Sequence, residues 1–154
     1  MARKIAIVVL IAALTAGGFA FYQHRGAEQR DVAVRQATAA ATAAAQAIFS
    51  YDYRSFDSAV ANGRSYATGS FADEYAQTTA ALKTNAVKEQ AIVRAAVSAT
   101  GVISSGPDKV ELLLYLNQYR RNTNVTGEKV DQNRVVLTMT KADGAWKVSQ
   151  ATAI

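Results

Sequence analysis

Nothing constrains this chain more than the run from Ile5 to Gln23 (IAIVVLIAALTAGGFAFYQ), which holds no charged residue and is bracketed by Arg3-Lys4 and His24-Arg25. Coiled as a helix it would be about 28 Å long at roughly 1.5 Å per residue, close to the roughly 30 Å of a bilayer's hydrocarbon core. Tyr22 stands near its far end, where an amphipathic ring favours the boundary between water and lipid. The reading is a membrane anchor over residues 1–25 followed by an extracytoplasmic α+β domain over residues 26–154. A cleaved signal peptide is the rival, with Gly18-Phe19-Ala20 as a small-x-small cut. The run exceeds the roughly 7–15 apolar residues of a signal-peptide core and has no polar break, which favours an anchor that stays attached. Arg3 and Lys4 favour a cytoplasmic N-terminus, whereas Arg25, Arg30 and Arg35 lie on the other side and offset them. A short tail with two cations is a common signal-anchor arrangement. The expectation is a single-pass protein of the cytoplasmic (inner) membrane, its N-terminus in the cytoplasm and its C-terminal domain outside. Ala13 with Gly17, or Ala16 with Ala20, has the spacing that lets a second helix approach, a pattern that lipid-facing Ala/Gly-rich spans also show by chance.

Beyond the anchor about 130 residues remain, enough for one domain with a real core. The formal charge of +5 is concentrated at the anchor. Arg3, Lys4 and Arg25 are three of the 17 Lys+Arg, so residues 26–154 carry 14 against 12 Asp+Glu. The excess at the membrane flanks suits anionic head groups better than nucleic acid. The chain has no cysteine, which excludes disulfides, thiolate metal sites and cysteine nucleophiles. The one histidine, His24, excludes histidine-cluster metal sites and argues against a histidine-based triad. No metal, no cofactor and no nucleic-acid partner is expected.

From Ala27 to Phe49 the chain is rich in alanine and free of Gly and Pro, which predicts a long first helix over about 27–49. Val34, Ala37, Ala41, Ala44 and Ile48 follow 3-4-3-4 spacing and make a narrow seam of small side chains. That seam fits a helix lying close across a sheet better than a coiled-coil dimer, because alanine offers little apolar area. A short helix is expected from Arg54 to Ala61, stopped by Asn62-Gly63. Another starts at Ser70 with Asp73 in capping-box position, and its apolar face (Phe71, Tyr75, Thr78, Thr79, Leu82) runs to about Thr84. The period then changes to two. Strands are expected around Val93, Ala95, Val97 and Ala99, along Val110, Leu112, Leu114 and Leu116 to Arg121, along Val135, Leu137 and Met139, and from Trp146 through Val148. Ser104-Ser105-Gly106-Pro107-Asp108 and Lys141-Ala142-Asp143-Gly144 make the turns, with a polar loop from Asn122 to Val130. Three helices followed by a four-stranded antiparallel meander over about 90–154 define an α+β domain with its helices on one face.

No residue in this pattern announces chemistry. Asp52 is the carboxylate most closely flanked by aromatics (Phe49, Tyr51, Tyr53, Phe56), and a desolvated Asp there could act as a base. An Asp before a helix is more simply its cap. Glu128 and Asp131, with Lys129 and Arg134 near them, read as solvated or ion-paired loop residues. Asp73-Glu74 complements a helix dipole, and Asn124-Val125-Thr126 matches a glycosylation sequon. Catalytic residues are therefore expected to be none, and the chain is not expected to be an enzyme.

Several segments carry a resemblance: SYDYRSFDSAVA (50–61), ATGSFADEYAQTTAALK (67–83), GVISSGPDKVELLLYLNQ (101–118), VDQNRVVLTM (130–139) and DGAWKVSQ (143–150), in that order behind an anchor and an Ala-rich helix. Together they resemble the Mce-associated membrane proteins, accessory proteins of the mammalian-cell-entry lipid importers of actinobacteria. The resemblance implies a nuclear transport factor 2-like domain, a curved sheet with helices over its concave side. It also implies a non-enzymatic accessory or scaffold subunit that assembles or stabilises a Mce-type lipid importer, with the bilayer, the transporter's protein subunits and its lipid substrate as partners. The polar and aromatic residues inside these motifs are the candidate partner contacts: Tyr51, Tyr53, Asn117, Gln118, Asp131, Gln132, Asn133 and Arg134. Two alternatives stay open. One is a lipid-binding or carrier domain with an apolar pocket between Trp146, Leu112, Leu114 and the helices; the other is an assembly component of a secretion-type envelope complex. An isomerase-like enzyme on the same fold needs a polar dyad that the sequence does not display.

Overall fold

The computed structural model describes residues 27–154. The apolar run Ile5–Gln23 and its bracketing charges lie outside the described residues. Among the described residues no helix is long and apolar enough to cross a membrane. By compactness the chain divides into residues 1–32 and residues 33–154. In the first unit the described residues 27–32 are helical and exposed.

Helix α1, over residues 27–48, ends where the alanine run ends. A two-residue strand β1 (Tyr51–Asp52) follows, then a 3-10 turn (Tyr53–Ser55), α2 (Phe56–Ser65) and α3 (Gly69–Lys88). Four long strands complete the chain: β2 (Ile92–Ser105), β3 (Lys109–Arg121), β4 (Lys129–Ala142) and β5 (Ala145–Ala153). They form one antiparallel sheet in the order β1-β2-β3-β4-β5. The expected meander is present, with five strands instead of four. The extra strand escapes a periodicity argument because two residues are too short to show a period.

The core lies between α1 and the sheet. Ala33, Ala37, Ala41, Ala44, Ala45 and Ile48 are buried against Val110, Leu112, Leu114 and Leu116 of β3, Val135, Leu137 and Met139 of β4, and Trp146 and Val148 of β5. The alanine seam is thus a sheet-packing face, and the coiled-coil alternative is displaced. Each fully buried leucine contributes about 1.5–3 kcal/mol by leaving water. The alanines supply less area, but their size sets how near the helix axis comes to the strands. A polar contact crosses the same layer, where Trp146 donates from Nε1 to Gln36 Oε1 at 3.3 Å.

The helix boundaries differ from expectation in two places, each for a physical reason. Gly63 does not stop α2, which runs on to Ser65. A Cβ at Gly63 would stand 2.2 Å from the Tyr75 hydroxyl, so this glycine is where α3's Tyr75 meets the backbone of α2. Helix α3 begins at Gly69 behind Thr68, whose side chain makes no cap hydrogen bond, and it continues past Thr84 to Lys88. The capping box at Ser70 is absent; Asp73 instead lies 3.8 Å from Arg64 in an ion pair. The Asp143-Gly144 hairpin forms as expected, both residues having positive φ (51° and 78°).

Two substitutions test this packing. Ala41→Leu inserts volume into a filled layer and should lower stability by about 1–3 kcal/mol in urea unfolding of the full-length chain. Gly63→Ala should likewise lower the midpoint, and Tyr75→Phe placed beside it should recover part of the loss by removing the clashing oxygen; no recovery would refute the contact.

Candidate functional site

Near the end of α1 a cavity of about 450 Å³ opens between α3 and the sheet. Phe49, just past α1, and the helical Phe56, Phe71, Tyr75 and Leu82 form one wall, while Gln118, Val135, Ala151 and Ala153 form its floor. The rings brace one another: Tyr51 meets Phe56 edge-on at 5.4 Å between centroids, and Phe71 leans on Tyr75 at 6.3 Å. The volume falls within the roughly 300–1,000 Å³ of small-molecule sites, and the mostly apolar lining has the character of such sites. Polar groups lie at its margin. Glu74 and Thr78 are exposed at the rim, and Thr79 Oγ1 is committed to the Tyr75 carbonyl at 2.7 Å. Burial raises the Tyr51 hydroxyl's pKa, with Arg120 partly offsetting it, and burial alone raises that of Tyr75. Both phenols are thereby held as neutral hydrogen-bonding groups.

The pocket is not where Trp146, Leu112 and Leu114 would place it. Leu112 and Leu114 are completely buried, and with Trp146 they belong to the packed layer under α1. The apolar face of α3 does serve as expected, since Phe71, Tyr75, Thr78, Thr79 and Leu82 all line the cavity.

Seven of the eight candidate contact residues lie on strands of the sheet, and Tyr53 lies off it. Tyr51 and Gln118 line the cavity itself. Gln118 Oε1 accepts from Asn133 Nδ2 at 2.7 Å, and its Nε2 donates to the Phe49 carbonyl at 3.4 Å, so one side chain ties β4 to the end of α1. Asp131 lies opposite Gln118 in the ladder and pairs with Arg120 at 3.2 Å. Asn117, Gln132 and Arg134 alternate to the other face. Tyr53 sits in the 3-10 turn, 5.9 Å from the Arg54 guanidinium. These residues therefore make no single patch.

Asp52 is a cap. Its Oδ1 accepts from the Arg54 backbone N–H at 2.9 Å, and the Arg54 guanidinium Nε reaches both carboxylate oxygens at 2.9 and 3.1 Å. These hydrogen bonds lower its pKa to about 2. A carboxylate so held is a poor base. A depressed folded pKa contributes stability that is present above the unfolded value near 3.9 and is lost as pH falls through about 2. Acid unfolding of Asp52→Asn should therefore lack the part of the wild-type pH dependence between roughly pH 4 and 2 that this group supplies. Superimposable profiles would show that the pair adds nothing. Among the described residues, no cluster of His, Cys, Asp or Glu could hold a metal ion.

With this geometry in hand, comparison with known proteins is informative. The model of the family described as uncharacterized protein Rv1363c/MT1408-like matches residues 1–154. The uncharacterized protein Rv1362c of Mycobacterium tuberculosis is 27% identical over 163 residues, covering 99% of this chain and 72% of the relative. Among solved structures, an IcmL-like type IV secretion system protein from Legionella pneumophila aligns with a TM-score of 0.62 at 21% identity, covering 80% of this chain and 91% of that one. CagV, a VirB8 homolog of the type IV secretion system of Helicobacter pylori, aligns with a TM-score of 0.61 at 14% identity, covering 75% and 93%. At these identities the likeness is one of fold, the α+β architecture of helices on an antiparallel sheet.

Proposed function

The chain belongs to the Rv1363c/MT1408-like family, and we propose that it is a non-enzymatic accessory or scaffold subunit of a cell-envelope complex. More specifically, it assembles or stabilises a Mce-type lipid importer, held by residues 1–25 in the cytoplasmic membrane with its folded domain outside. The observation that carries the reading is the fold, which the domain has in common with proteins described as components of type IV secretion systems. The apolar run Ile5–Gln23 supports the tether. The pairing of Asp52 with Arg54 supports a role without catalysis, because the carboxylate best placed by sequence to act as a base is already engaged. Affinity purification of the tagged full-length chain from gently solubilised host membranes, with brief cross-linking, should recover importer subunits in constant proportion. A chain that remains alone under those conditions overturns the proposal.

The 450 Å³ cavity favours a second reading, in which the domain holds a lipid acyl chain. A fluorescent fatty acid should then bind saturably to the full-length chain, and Ala151→Phe, which fills the floor, should abolish that binding without unfolding the domain. Equal binding by both proteins would assign the signal to the detergent or the tether.

A further inference from the structure

The cavity beneath α3 opens on one side. Among the residues that line it, only Glu74, Thr78 and Ala153 are exposed, which puts the mouth between the first half of α3 and the end of β5. Deeper in, the lining is apolar or neutral. Its polar side chains there are Ser50, Tyr51, Tyr75, Thr79 and Gln118, and burial holds both phenols in their neutral form. Ser50 Oγ already accepts from the Ala95 N–H at 2.9 Å, Thr79 Oγ1 donates to the Tyr75 carbonyl at 2.7 Å, and Gln118 is engaged through both ends of its amide.

Glu74 is the one charged side chain of the lining, and it makes no ion pair among the described residues. The cations of neighbouring elements are engaged elsewhere. Arg64 pairs with Asp73 at 3.8 Å, Lys83 with Asp57 at 2.7 Å and Arg120 with Asp131 at 3.2 Å, while Arg134 alternates to the other face of the sheet. A group the size of a water takes about 30 Å³ of liquid volume, so the 450 Å³ here has room for about fifteen such groups, the bulk of one long hydrocarbon chain.

We propose that this cavity selects single-chain lipids with an uncharged head, such as a fatty alcohol, over the matching carboxylates, and that Glu74 sets the preference. The inference rests on the acyl-chain reading of the same cavity. A lipid that enters tail-first leaves its head either within the lining or at the mouth. Within the lining a carboxylate would lose its water and find no cation to pair with, a cost that no group there offsets. At the mouth it stands beside the Glu74 carboxylate, where like charges repel, weakly because solvent screens them. A hydroxyl head meets neither penalty. A fatty acid still enters with its carboxylate at the mouth, but binds less well than its chain alone allows.

Competition against a bound fluorescent fatty acid tests this on the full-length chain in nonionic detergent, with hexadecanol and ionised hexadecanoate as the competing probes. Glu74→Gln and Glu74→Arg alter an exposed, unpaired position and should leave the thermal midpoint unmoved. The detergent takes up each competitor equally whichever variant is present. Differences between variants, corrected for the fluorescent probe's own affinity in each, therefore report the site. Hexadecanoate should bind about two- to fivefold more tightly to Glu74→Gln, the scale of one exposed charge interaction, and tighten by a similar step again in Glu74→Arg, while hexadecanol is unchanged. Hexadecanoate affinity that ignores the charge at this position, or a parallel shift of both competitors, overturns the head-group inference and leaves the acyl-chain reading standing. A wild-type chain that shows no saturable probe binding, or binding that Ala151→Phe does not weaken, overturns both.

Discussion

The structure depends on how closely α1 approaches the sheet. Ala37, Ala41 and Ala44 have no exposed surface, and the residues beneath them are the longest buried side chains in the domain. Large residues on the strands meet small ones on the helix, so the layer reaches interior density without bulk from both sides. The arrangement also fixes where space remains. The helix ends at residue 48, and beyond it Phe71, Tyr75 and Leu82 of α3 line the cavity together with Val135, Ala151 and Ala153 of the sheet.

Much of this was legible. The 3-4-3-4 alanine seam names the buried face of α1, and the period-2 runs at 110–116 and 135–139 name the inward residues of β3 and β4. What escaped has identifiable causes. Gly63 reads in sequence as a helix stop because a glycine needed for close approach and one needed at a terminus look alike until the partner ring, Tyr75, is placed. The cavity floor escaped because β5 changes phase: Val148 lies opposite Met139 and Gln150 opposite Thr138, so Ser149 is extra. Simple alternation from Trp146 would turn Gln150 and Thr152 inward, whereas Ala151 and Ala153 line the cavity. A bulge leaves no mark in composition.

For function, the polar residues of the recognisable motifs are explained as much by the sheet as by any partner. Gln118 and Asn133 stitch β3, β4 and the end of α1 together, and Asp131 answers Arg120. Motif-bearing polar residues that hold a strand corner in place need no further role to be retained by a fold. A scaffold reading therefore draws on the shape of the domain and its edges more than on any one side chain.

Helix α3 is fastened at both ends by main-chain bonds. Its leading linker is held to β5 through Tyr66 and Thr68, and past its last turn the Ala91 carbonyl receives Tyr53 N–H at 3.1 Å while the Glu89 carbonyl receives Thr123 N–H at 2.9 Å. Lifting α3 away from the sheet would break main-chain bonds at both ends, so a ligand lodged beneath it would meet a wall already in place and would cost the protein little ordering entropy.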